Sequence, residues 1–152
     1  MRRPNPSTDS ESGAAVLEFI LVGLVLLVPL VYLVITLGSI QGQSLGAEAG
    51  ARHIARAIAL SSDSDEARDR TDRILAAVVE EYGIDDSAVE IALHCRPASA
   101  DCPSAGATVV VTVRTSVSLP LVPPVLGLDR IASVPVEASS AQKVSRFWGV
   151  GS

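Results

Sequence analysis

Glu18 is the one charged residue in an apolar run that extends from Ala14 to Ile40. At the centre of a bilayer a lone carboxylate costs about 2.5–3.5 kcal/mol on insertion scales, so its presence suggests a specific task. The chemistry open to it there is pairing with a cation. Gly13, five residues earlier, marks the boundary between a polar leader and the apolar run. Cys95 and Cys102 form a second pair of interest, separated by Arg-Pro-Ala-Ser-Ala-Asp. They read as a disulfide closing a short loop, worth on the order of 2–3 kcal/mol when unstrained. The competing readings are free thiols or a metal site. His94 adjoins Cys95, but His53 is distant and no second ligand pair has zinc spacing. The expectation is therefore a disulfide, with no metal and no cofactor.

Other reactive residue types form no constellation. His53 and His94 fall in different expected elements and read as ordinary surface or partly buried residues. Asp85-Asp86 follows Gly83-Ile84 and reads as a turn or strand start, not a carboxylate dyad. Lys143 is the only lysine, and neither a Gly-rich phosphate loop nor a Gly-x-Ser-x-Gly elbow occurs. No catalytic residue is assigned, and the chain is not expected to be an enzyme.

The elements that would position these residues begin with the span. Phe19 to Ile40 is 22 residues without a charge. As a helix it would be roughly 33 Å long, enough to cross a hydrocarbon core of about 30 Å. In lipid the backbone must satisfy itself, which makes helix the state for a single span. Pro29 would bend it. A cleaved secretory signal is the competitor, with Gly38-Ser39 or Gly46-Ala47 as small-residue sites, but its apolar core would be about 7–15 residues. Arg2 and Arg3 precede the span, and no basic residue follows until Arg52. The positive-inside rule therefore places the N-terminus in the cytoplasm and residues 41–152 outside, where a disulfide persists.

The organisation expected is a cytoplasmic leader at 1–13, a transmembrane helix at 14–40, a helical extension at 41–60 and a small domain at 61–152. The leader's first twelve residues are polar and read as disordered. In the extension Ala47, Gly50, Ala51, Ile54, Ala55 and Ile58 recur at helical spacing. Gly42, Gly46 and Gly50 form a row that permits close helix approach or merely loosens the helix. Ser61 to Asp65 reads as a cap for a second helix from Glu66 to Tyr82, stopped by Gly83. Its apolar face is Ala67, Ile74, Leu75, Val78 and Val79. Its charges read as a solvated face with local ion pairs.

Three segments then alternate with period two: Val89 to Cys95, Val109 to Leu119, and Ala132 to Ala138. They predict half-buried antiparallel strands, the first two joined by the cysteine loop. Pro120 and Pro123-Pro124 would end the second, and Pro135 suits an edge strand. The fold class is thus α+β: a long N-terminal transmembrane helix extended by an amphipathic helix, a second helix, and about three antiparallel strands. The net charge is −5, aromatics are scarce, and no basic patch is interleaved with aromatics, so nucleic acid is not an expected partner.

The leader junction carries a resemblance. Ser12-Gly13-Ala14-Ala15-Val16-Leu17-Glu18-Phe19 resembles a type IV pilin-like, class III signal, the kind a prepilin peptidase cuts after glycine on the cytoplasmic side. It is similar to the start of TadE-like proteins, the pseudopilins of tight-adherence (Tad/Flp) systems. The resemblance implies cleavage between Gly13 and Ala14, with Glu18 at mature position five. The new ammonium at Ala14 would pair with Glu18 of a neighbouring subunit or its own chain. Phe19 stands where Flp major pilins typically carry tyrosine, and the domain is much longer than a Flp tail. Both departures suit a minor pilin or pseudopilin acting in pilus assembly. Its partners would be the membrane, the prepilin peptidase, other pilins or pseudopilins and the assembly platform. The alternative is a single-span, membrane-anchored extracytoplasmic domain that binds or senses and has no filament role.

Overall fold

The computed structural model describes residues 9–98, 101–120 and 132–150, with side chains from Ala15 onward. Residues 1–8 of the leader and the expected strand stop at Pro123-Pro124 lie outside the described residues. The fold is α+β. Helix α1 (Asp9–Leu60) is followed by α2 (Ser64–Tyr82), a short 3-10 turn (Asp86–Ala88), and strands β1 (Glu90–Arg96), β2 (Thr108–Ser118) and β3 (Ser133–Lys143). By contacts the chain forms two compact units, Met1–Leu37 and Gly38–Ser152.

Helix α1 begins at Asp9, earlier than the polar composition of the leader suggests. Once a helix exists, each added residue needs only its own dihedrals fixed against one further hydrogen bond. No proline or glycine stands between Asp9 and Ser12 to oppose that growth. Pro29 sits inside the helix, as expected of a residue whose lost hydrogen bond a long apolar helix can absorb.

In the second unit, α2 starts two residues earlier than its expected Glu66, because Asp63 takes the cap. Its carboxylate accepts from the N–H groups of Asp65 at 3.0 Å and Glu66 at 2.8 Å. Glu66 reaches back to the Ser62 N–H at 2.8 Å. Gly83 closes α2 in the left-handed conformation at φ 61°, a cheap conformation only for glycine, and its N–H bonds the Val79 carbonyl. The charged face of α2 holds the expected pairs, Arg68–Asp65, Arg70–Glu66 and Arg73–Asp69.

The sheet has the order β1-β2-β3, antiparallel throughout. Central β2 turns Val109, Val111, Val113 and Val117 into the core, where they meet Ala47, Ala51, Ile54, Ala55 and Ile58 of α1. Ile54, Val109, Val111 and Val117 are fully buried. Thr115 shares this buried face with the valines. Pro135 lies on β3, an edge strand, where its missing N–H costs no interior ladder bond. β3 runs to Lys143, five residues past the alternation that marked it, and Val144 beyond it is buried.

The glycine row divides. A Cβ on Gly46 would lie 2.7 Å from the Tyr82 Cγ and 2.8 Å from its Cβ, so here α1 needs glycine for close approach. Gly50 faces Val78 at ordinary contact distance, while nothing lies near Gly42.

Candidate functional site: the apolar helix and its carboxylate

From Ala15 to Leu37 the first unit is built almost wholly from side chains that water rejects. From Ala15 to Val31 every residue of α1 is exposed, and its most apolar stretch has a mean hydropathy of 2.9 with none of it buried. Monomeric soluble proteins rarely expose contiguous apolar patches beyond a few hundred Å². The helix is long and apolar enough to cross a membrane, which fits a single-pass anchor.

Glu18 sits on this exposed surface, one turn after Ala14. Four residues along a helix is about 6 Å of rise and a little more than one full turn, so positions 14 and 18 share a face. A cation placed at position 14 would be within side-chain reach of Glu18, in a setting where lipid strengthens their attraction. Gly13 and Ala14 lie within the described backbone of α1. The chemistry available is therefore one carboxylate on an apolar helix, near the point where polar sequence begins.

The cysteine pair is brought together. Cys95, on β1, is bonded to Cys102, with a Cα–Cα distance of 5.7 Å, and the closed loop joins β1 to β2. No free cysteine remains. The other candidates stay apart. His53 is exposed on α1, and His94 is exposed on the outer face of β1, opposite Val110. Asp85 is a capping residue: its carboxylate accepts from the Ser87 N–H at 3.0 Å and hydroxyl at 2.7 Å. Among the described residues no group of three or more His, Cys, Asp or Glu side chains is arranged to hold a metal ion.

Two features of the second unit escape the period-two and helical patterns. Leu93 belongs by alternation to the inward face of β1, yet it is 40 % exposed. It lines a groove of about 230 Å³ with Ile58, Ala67, Arg68 and Pro103, left where α2 does not fully cover the edge strand. On the outer face Arg114 stands across from Glu90 on one side and Glu137 on the other. Its guanidinium donates to Glu137 at 2.8 Å, which raises its pKa further above the ordinary arginine value, with Glu90 adding a smaller attraction. Charge pairs across strands follow from register, which a single strand's pattern does not contain. No family model, no curated protein and no solved structure matches the chain.

Proposed function

We propose that the chain is a membrane-anchored structural protein of the TadE-like kind, a minor pilin or pseudopilin acting in assembly of a Tad/Flp pilus. The observation that carries this reading is the wholly exposed apolar stretch of α1 with Glu18 as its lone charge, one turn after Gly13-Ala14. The reading assigns Gly13 and Ala14 to the peptidase and Glu18 to assembly. Cleavage leaves an ammonium at Ala14. Its pairing with Glu18 offsets the cost of a carboxylate in lipid and sets the register of neighbouring helices. The second unit lies outside the cytoplasm and presents its surface to other pilus components. Its disulfide suits that compartment.

The test is the intact mass and N-terminal sequence of membrane-purified protein, with and without a co-expressed prepilin peptidase. A peptidase-dependent start at Ala14, with the apolar helix retained, is the expected result. A start at Met1 in the native host would overturn the pilin-like reading and leave an anchored binding or sensing domain.

A further inference from the structure

The second unit is electrically polar along α1. At the Leu60 end, the tail is held against the end of α1 by a hydrogen bond from the Ser145 N–H to the Ala59 carbonyl at 3.1 Å, and against the link to α2 by one from the Gly149 N–H to the Ser62 carbonyl at 2.7 Å. These bonds bracket two large side chains that stay in solvent, Leu60 at 64 % and Phe147 at 68 % exposure. Arg146 lies 5.8 Å from the centre of the Phe147 ring. It lines a concavity with Lys143, Val144 and Gly106. Arg56 is exposed one turn before Leu60.

Among the described residues none of Arg56, Lys143 and Arg146 has a carboxylate partner. The nearby acids at the start of α2 are engaged otherwise. Asp63 caps the helix, Asp65 pairs with Arg68, and Glu66 pairs with Arg70. The result is an apolar patch with a net basic rim, three cations against the one capping carboxylate of Asp63. Aromatic and arginine side chains together are the composition enriched at protein interfaces.

The opposite end has the opposite sign. Glu80 and Glu81 lie in the last turn of α2, and Asp85 and Asp86 come shortly after Gly83. All four are exposed, and none forms an ion pair among the described residues. This end is fixed to α1 near Gly46, which Tyr82 and Ile84 approach. Leu45, beside Gly46, is exposed there as well. Gly46 and Leu60 are about 21 Å apart along the helix.

We propose that this unit binds a second copy of the chain head to tail, the Leu60–Phe147 end of one copy against the Leu45 and Glu80–Asp86 end of the next. The two ends are complementary in charge, and each offers exposed apolar side chains. A two-fold contact between two Leu60 ends would set arginine against arginine, and so would parallel copies standing level with one another. Copies displaced along the α1 axis by about 21 Å bring unlike ends together, and they are not the copies paired through Glu18, whose offset from Ala14 is about 6 Å. The proposal rests on the pilin-like reading, since a shared membrane makes neighbours parallel and departure from lipid lets them differ in height.

Full-length protein carrying Leu45→Cys and Val150→Cys, oxidised in its native host, tests this. The two native cysteines are already bonded to each other. A ladder of cross-linked multiples is expected from the double variant, with monomer alone from each single variant. Adding Arg56→Glu and Arg146→Glu should lower the ladder yield about tenfold, and further adding Glu80→Arg and Glu81→Arg should restore it. Absence of the ladder where cleavage at Gly13 proceeds overturns head-to-tail binding alone. Absence of both overturns the pilin-like reading with it. A dimer from Val150→Cys alone, or cross-links only to a different protein, also overturns the proposal.

Discussion

Glycines four residues apart on α1 do unlike work, and only the folded chain separates them. Gly46 is pressed against Tyr82, whereas Gly42 meets nothing. Replacing Gly46 with alanine puts a methyl group 2.7 Å from the Tyr82 Cγ, in a place where backbone or ring must shift. Overpacking of this kind costs about 1–3 kcal/mol, more than the roughly 1 kcal/mol that alanine gains in helix propensity. At Gly42 only the propensity gain remains. The expected outcome is a lower unfolding midpoint for Gly46→Ala and an unchanged or higher one for Gly42→Ala, read by denaturant unfolding of the full chain in detergent. Equal shifts for both would show that α1 and the end of α2 do not meet as described. The sequence displays the row but not which member is crossed, because helical spacing says nothing of where a second helix arrives.

At the level of elements, the start of α2 depends on ionised carboxylates. Hydrogen bonds, from the Glu66 N–H first, the Ser62 hydroxyl next and the Asp65 N–H less, hold Asp63 below its ordinary value. The Ser62 N–H and hydroxyl, with a smaller attraction from Arg70, do the same for Glu66. Both groups are depressed in the folded chain, so their contribution is present above the ordinary carboxylate range of about 4. It is lost as pH falls through the lowered folded values. The melting temperature should therefore fall on acidification below about pH 4, and Asp63→Asn with Glu66→Gln should flatten that fall. An unchanged pH profile in the double variant would remove these two residues as its source.

Most of the elements were legible in the residues. Both helices, the three strands, the glycine stop at Gly83 and the joined cysteines follow from period, cap chemistry and spacing. The start of α2 differs by two residues because Asp63 and Asp65 are equally good caps on paper, and Asp63 is the one that adopts the extended conformation a cap requires. The length of β3 was not legible, because Ser139, Ser140 and Gln142 carry no hydrophobic alternation. The strand is extended there by pairing with β2, down to Lys143 opposite Thr108. Thr115 occupies a core position that its residue type does not advertise.

For the whole molecule, the decisive residue is Glu18, because the two functional readings assign it opposite importance. On the pilin-like reading Glu18→Ala abolishes assembly, or binding to partner pilins, while the protein still inserts. Insertion itself becomes easier by up to about 2.5–3.5 kcal/mol, since a carboxylate leaves the lipid. Membrane fractionation together with a pilus count in the native host measures both. Intact assembly with Glu18→Ala would reduce the carboxylate to a tolerated interfacial charge and favour an anchored binding domain. The long apolar helix itself is legible as composition. The polarity of the second unit is not, since Arg56 lies far in sequence from Lys143 and Arg146 and the tail is brought to the end of α1 only by the fold.

The tail has one more consequence, which concerns the order in which the molecule is made. Val144 fills the core at 2 % exposure, its N–H bonds the Ala107 carbonyl, and Ser145 and Gly149 tie down the corner between the two helices. These residues emerge from the ribosome after every helix and strand. A growing chain therefore carries an unsealed valine core until residues 144–149 appear. If the span is threaded first, as an N-terminal anchor would be, the segment behind it reaches the membrane while still pliable. Closure then falls to the side on which residues 144–149 arrive.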